Sequence, residues 1–270
     1  MYTAASKTVY ADFDAPEFKN MHASGKTVEK DGVVYFEGAI SVSGETSDIG
    51  SGVNSVYLLR DGKIASQGIP EEITKSGEYT IRVVDFTGRT TEVSLADIMG
   101  TESNKFVVDN DAPKIVRESG FTSDLEKEDT LWYKSNPTLV YNVTDSNIDK
   151  IEVSVNGKTV VNTISSDGKY SITPDTEDGQ VTVAVVATDK MGHVVTDTFK
   201  YVKDFTAPVN VKAITDDNGV YKDGKMFFKK APSVRVSAGD GGVGVEKYIL
   251  SGSKSEENET GLFKLGTGEY

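Results

Sequence analysis

The sequence repeats itself with a period of about 95 residues, and each repeat carries its own marker. Asp-Phe-Asp-Ala-Pro runs from Asp12 to Pro16, Asp-Asn-Asp-Ala-Pro from Asp109 to Pro113, and Asp-Phe-Thr-Ala-Pro from Asp204 to Pro208. Twenty residues after the marker alanines Ala15, Ala112 and Ala207 stand Tyr35, Trp132 and Phe227, each followed by a second aromatic: Phe36, Tyr133 and Phe228. Thirty-three residues after them stand Asp48, Asp145 and Asp240. A period of this size in three aligned copies means tandem modules, each large enough to bury a small core.

Each module reads as β-strands. Phe36, Gly38, Ile40 and Val42 alternate with Glu37, Ala39, Ser41 and Ser43; Leu139, Tyr141 and Val143 alternate with more polar neighbours, as do Val234, Val236 and Ala238. This period of two is the signature of half-buried strands. Further strands are expected at 55–59, 80–84, 150–155, 181–187 and 246–250. Asp61-Gly62, Asn156-Gly157, Asp167-Gly168 and Asp223-Gly224 supply turns between strands. Helix is scarce; 94–99 has room for a turn or two. Short strands at this spacing indicate antiparallel immunoglobulin-like sandwiches arranged end to end, an all-β chain.

The combination of Asp-x-Asp/Thr-Ala-Pro, then Asp-x-x-Ser-Gly-Val at Asp48–Val53, then Asp-x-x-Gly at Asp85–Gly88 and Asp189–Gly192 resembles the bacterial immunoglobulin-like tandem repeats of cell-surface proteins and adhesins. The resemblance covers essentially the whole chain. Two departures stand out: Asp145-Ser146-Asn147-Ile148 lacks the glycines, and Thr206 replaces the second marker aspartate. The expected organisation is a last strand of a preceding module at 1–10, modules at 11–107 and 108–202, and a third module at 203–270 that stops before its last strands. Val9-Tyr10 matches Phe106-Val107 and Tyr201-Val202, and Gly268–Tyr270 matches Gly77–Tyr79, which begins a late strand. Strand addition between molecules would be one use of such ends.

The net charge of −13 argues against nucleic acid or an anionic membrane as partner, while it suits divalent cations. No apolar run reaches the length of a membrane span, and the absence of cysteine leaves no disulfide or thiolate chemistry. In a sandwich of this topology the N-terminal linker, the B–C loop and the F–G turn share one pole. That gathers Asp12, Asp14, Asp48 and Asp85 in the first module, and Asp109, Asp111, Asp145 and Asp189 in the second. Carboxylates held so close repel, and Ca²⁺, which takes six to eight oxygen ligands, would relieve the repulsion. The resemblance implies the same, since calcium stiffens the joints of some giant adhesins. The competing reading is structural: Asp is a preferred turn residue that bonds its own backbone, and the marker proline restricts the residue before it.

Other candidates are weaker. The paired aromatics offer one outward ring each, a platform for a sugar or simply a core partner. His22 and His193 lie in different modules, and His193 sits beside Asp189 in the F–G turn. No Ser-His-Asp set can be assembled within a module and no phosphate-binding glycine motif opens a helix, so catalysis is not expected. Two glycosylation sequons, at Asn142 and Asn258, and lysine–asparagine cross-links are further options. The sequence therefore points to a non-enzymatic stalk of a bacterial surface or secreted adhesin-like protein, with Ala-Pro linkers restricting bending and Ca²⁺ as the cofactor. Its partners would be neighbouring modules and, at most, a host glycan or surface protein. A glycan- or protein-binding module and a spacer in a large secreted hydrolase are the alternatives.

Overall fold

In a computed structural model the described residues are 7–160, 163–164 (backbone only), 169–252 and 254–265. Expectations for residues 1–6, for the Asp167-Gly168 turn and for Gly268–Tyr270 fall outside them. Residues 7–16 form no strand, and Val9 and Tyr10 are almost fully exposed; a strand needs a partner, and none pairs with them among the described residues.

Strands dominate. The first repeat holds β1 (Glu17–Lys30), β2 (Val33–Ser47), β3 (Val53–Arg60), β4 (Lys63–Gln67), β5 (Glu72–Ile73), β6 (Gly77–Asp85), β7 (Thr90–Ser94), α1 (Leu95–Met99) and β8 (Lys105–Val108). Their order is β1-β2-β8-β6-β3-β4, with β5 paired to β2 and β7 to β6. Asp31 and Gly32 both have positive φ, 52° and 73°, which is the type I′ geometry that lets a two-residue turn match the strand twist. β2 bends at Gly38, whose φ of +72° is the left-handed region. Before the bend, Val34–Phe36 pair in parallel with β8; after it, Ile40 pairs with Ile73 of β5. β2 thus changes partner on either side of Gly38. The buried core consists of Ala23, Val34, Phe36, Ile40, Val42, Leu58, Ile73, Tyr79, Ile81, Leu95 and Phe106.

The second repeat contains β9 (Lys114–Ser119), β10 (Leu125–Lys127), β11 (Thr130–Tyr133), β12 (Leu139–Thr144), β13 (Ile148–Val155), β14 (Lys158–Thr159), β15 (Thr163–Ile164), β16 (Tyr170–Ile172), β17 (Gly179–Asp189) and β18 (Val194–Lys203). They form a sheet of order β10-β11-β18-β17-β13-β14 and a second of order β15-β16-β12-β9. Phe121 links the layers, with its ring 5.1 Å from Tyr141 of β12 and 4.9 Å from Phe199 of β18. What the first repeat joins as β1 and β2 is here divided into β9 with β10 and β11 with β12.

The third repeat runs through β19 (Val209–Thr215), β20 (Val220–Lys222), β21 (Lys225–Phe227), β22 (Ser233–Gly239), β23 (Tyr248–Ser251), β24 (Ser255–Asn258) and β25 (Leu262–Lys264). Its described residues form a sheet, β19-β22-β25, and two hairpins, β20-β21 and β23-β24. Among its described residues Pro232, Val234 and Phe263 are buried, while Val209, Val211 and Ile214 of β19 remain exposed.

By contacts the chain divides into two compact units. One comprises 1–115, 143–151 and 186–196; the other comprises 116–142, 152–185 and 197–270. The B–C and F–G loops of the second repeat therefore belong to the first unit, together with the linker at Asp109.

Candidate metal centre

Strand register delivers the key carboxylates. Along β6, Tyr79, Ile81, Val83 and Asp85 are buried at every second position; along β17, Val181, Val183, Val185, Ala187 and Asp189 are. Period-two alternation thus carries an aspartate onto the core face at the end of each strand. Asp85 is 0% exposed and Asp189 2%.

Both aspartates organise the same turn. The Asp85 N–H donates to the Arg89 carbonyl at 3.0 Å, and the Asp189 N–H to the His193 carbonyl at 3.1 Å. Asp85 Oδ1 accepts from the backbone N–H of Thr87 at 2.7 Å and of Arg89 at 2.8 Å. Asp189 Oδ1 accepts from Gly192 at 2.7 Å and His193 at 2.8 Å. The residue after the glycine is cationic in one turn and titratable in the other. Arg89 Nη1 donates to the Asp12 carbonyl at 2.5 Å. His193 Nδ1 lies 2.7 Å from Asp189 Oδ2, and Nε2 lies 3.4 Å from Glu37 Oε2.

The B–C aspartates cap their own loops. Asp48 Oδ1 accepts from Gly52 N–H at 2.6 Å, Asp145 Oδ1 from Asn147 at 2.6 Å, and Asp240 Oδ1 from Gly242 at 2.9 Å. The linker aspartates then differ. Asp12 Oδ2 accepts from Ser51 N–H at 2.7 Å, and Asp204 Oδ2 from Val243 N–H at 2.8 Å. Each approach passes over a glycine: a Cβ on Gly50 would fall 2.1 Å from Asp12 Oδ1, and one on Gly242 2.0 Å from Asp204 Oδ2. In the second repeat the glycine position is Asn147. There Asp109 is 5% exposed and its Oδ2 has no hydrogen-bond partner. Its backbone is fixed all the same, with the Asp109 N–H donating to the Phe36 carbonyl at 2.8 Å.

Two groups result, both inside the first unit. Asp12, Asp48 and Asp85 bring ligand atoms within 4.8 Å of one another, and so do Asp109, Asp189 and His193. Asp145 stands close enough to the second group for its charge to raise the Asp109 pKa. Asp14 and Asp111 are exposed and belong to neither group. Electrostatics separate the two. Hydrogen bonds from Ser51 hold the Asp12 carboxyl below its ordinary value. Burial pushes Asp109 up, the Asp189 and Asp145 charges add to this, and Asn147 and His193 offset part of it. The hydrogen bond to Asp189 raises the His193 imidazole, with Glu37 contributing. Arg89 and Glu37 were not among the sequence candidates; the position following Asp-x-x-Gly was the available signal for Arg89.

The aromatic pairs follow only part of the expectation. Phe36 is in the core, but Tyr35, on the opposite face of β2, is also buried; the Lys190 ammonium lies over its ring at 5.8 Å and donates to Asp31 at 2.7 Å. Phe227 has the outward exposure foreseen. His22 lies exposed on β1, opposite Ser43. Among the described residues no helix is long and apolar enough to cross a membrane.

Residues 110–204 match the family model of the bacterial Ig-like domain. Among solved structures the chain is similar to the fibronectin(III)-like modules of Clostridium thermocellum CbhA, at 14% identity over 63% of this chain and 88% of that one, with a TM-score of 0.30. It is similar to a 1.5-MDa bacterial ice-binding adhesin at 16% identity, over 91% and 83% of the two chains, with a TM-score of 0.31. It also resembles a tetra-tandem repeat from the extending region of a large adhesion protein at 16% identity, over 93% and 64%, with a TM-score of 0.34. No curated protein matches the chain in sequence.

Proposed function

We propose that this chain, which carries a bacterial Ig-like domain at 110–204, is a non-enzymatic structural segment of a surface or secreted adhesin-like protein. In this reading tandem modules, bounded at 11–107, 108–202 and 203–270, bear load end to end, and Ca²⁺ at the acidic poles stiffens the linkers. The observation that carries it is the anchored linker. Asp109 N–H is bonded to the Phe36 carbonyl of the preceding repeat, and its carboxyl reaches the F–G turn of the next. A divalent ion added there would tie linker, B–C loop and F–G turn into one body. Asp12, Asp48 and Asp85 supply the equivalent ligands at the first pole, with Asp145 completing the second and Asp14 and Asp111 at the rims. Support for the non-enzymatic role comes from Asp85 and Asp189, whose Oδ1 atoms are engaged by backbone N–H groups of their own turns.

Stretching of single molecules tests this reading. A complete module of about 95 residues extends by roughly 3.3–3.6 Å per residue, so contour-length steps of about 300 Å are expected. Calcium should raise the force needed for the first repeat relative to EDTA. Unfolding without discrete steps, or forces indifferent to calcium, would remove the mechanical reading. A second reading draws on the β20-β21 hairpin, where Tyr221 and Phe227 are more than half exposed. As a ledge for a glycan or surface protein, it would show binding that Phe227→Ala abolishes.

A further inference from the structure

The two poles of the first unit have the same backbone plan but different chemistry. At the first, the linker aspartate is satisfied: Asp12 Oδ2 takes the Ser51 N–H, a contact made possible by Gly50, and Arg89 closes the turn. A guanidinium carries donors only and keeps its proton, so it cannot ligate a metal. At the second pole, Asn147 stands where the glycine would be, Asp109 Oδ2 is left buried and unpartnered, and the residue closing the turn is an imidazole. An unpaired buried carboxylate oxygen is costly unless something satisfies it. The groups beside it are a carboxylate that is itself 2% exposed, Asp189, and a ring nitrogen of His193. Glu37 lies beyond the ring, 3.4 Å from Nε2.

We propose that Asp109, Asp189 and His193 form a site for a divalent transition ion of the Zn²⁺ class, and that this ion, rather than calcium, occupies the second pole. Imidazole nitrogen suits zinc and its neighbours, whereas calcium takes six to eight oxygens and has little use for nitrogen. Zinc needs only about four ligands at about 2.0–2.2 Å. Three ligand atoms already within 4.8 Å of one another meet that after contraction, with Asp145 or water for the fourth place and Glu37 left to accept from Nε2–H. The proton between Nδ1 and Asp189 would leave as the ion enters. This deepens the preceding reading and rests on its claim that a cation ties linker to F–G turn; it changes which cation does so here.

The test uses the full chain stripped of metal. Zn²⁺ titration by calorimetry, and Co²⁺ titration followed by visible absorption, should give one site per chain and a rise in melting temperature. His193→Gln and Asp109→Asn should each weaken binding at least tenfold, and His22→Gln, which removes the only other imidazole, should change nothing. Melting of the metal-free variants shows whether they fold; Asp109→Asn relieves a buried charge and is expected to. Zinc binding that survives both site variants would overturn the proposal, as would calcium binding at this pole that is indifferent to His193→Gln. The latter would leave the calcium-stiffened reading intact. Failure of both ions on the wild-type chain would remove the two together.

Discussion

Asp85 separates turn-building from metal-holding. Its side chain is fully buried, and Oδ1 alone accepts two backbone N–H bonds, from Thr87 at 2.7 Å and Arg89 at 2.8 Å. Asp85→Ala orphans both amides. At about 1–3 kcal/mol for each buried donor left unmade, and with water reaching part of the turn, the loss is about 3 kcal/mol. For a domain of this size that lowers the melting temperature by roughly 10–20 °C. Asp85→Asn keeps an oxygen in the same place. Thr87 Oγ1, now 3.0 Å from both carboxylate oxygens, can turn to accept from the new amide. The expected cost is only about 1 kcal/mol. Urea unfolding followed by circular dichroism, in EDTA, measures both. If Asp85→Ala costs less than about 1 kcal/mol, or if Asn is as damaging as Ala, the hydrogen-bonded turn is not what makes this carboxylate necessary.

Further predictions concern the second unit and pH. Gly120 has φ +88°, and a Cβ there would fall 2.1 Å from the Thr138 backbone oxygen, so Gly120→Ala should destabilise by about 3 kcal/mol, combining left-handed strain with overpacking. A shift in urea midpoint worth less than about 1 kcal/mol would count against that contact. His193 is held above its ordinary 6.5 by Asp189, so its stabilisation is complete below about pH 6.5 and is lost as pH rises through the elevated folded value. The stability difference between metal-free wild type and His193→Gln should therefore shrink from pH 6 to pH 9. Asp109 is raised above 3.8, chiefly by burial, so its ionisation penalises the fold as pH rises through the raised value. Asp109→Asn should gain on wild type across that interval, and constant differences across the titrations would refute both assignments.

The repeat, the strands and the turn chemistry were legible because each rests on local pattern. Period two marked β6 and β17, and Asp61-Gly62, Asn156-Gly157 and Asp223-Gly224 adopt the paired positive φ that two-residue hairpins demand. The same pattern, carried one step further, would have shown Asp85 and Asp189 at core positions rather than on open loops. What the sequence withheld depends on contacts between distant segments. Nothing local says that Lys190 would cover the outward ring of Tyr35, or that Glu37 would reach His193. The loss of glycine at Asn147 was visible; its consequence, an Asp109 Oδ2 without a hydrogen-bond partner, required the distance between linker and B–C loop. Asp14 and Asp111 are exposed, and the carboxyls of Asp12 and Asp109 are the linker groups that approach the other carboxylates.

The central claim is that the acidic poles are cation-dependent structural joints. The most direct measurement is thermal unfolding of the metal-free chain against the same chain with millimolar Ca²⁺, followed by the same pair for Asp85→Asn. An ion present at about 100 times its dissociation constant adds about 2.7 kcal/mol. The account predicts a higher melting temperature with calcium in the wild type and none of that rise in Asp85→Asn. Identical melting with and without calcium would contradict it, leaving Asp12, Asp48 and Asp85 as turn-forming residues whose hydrogen bonds already suffice.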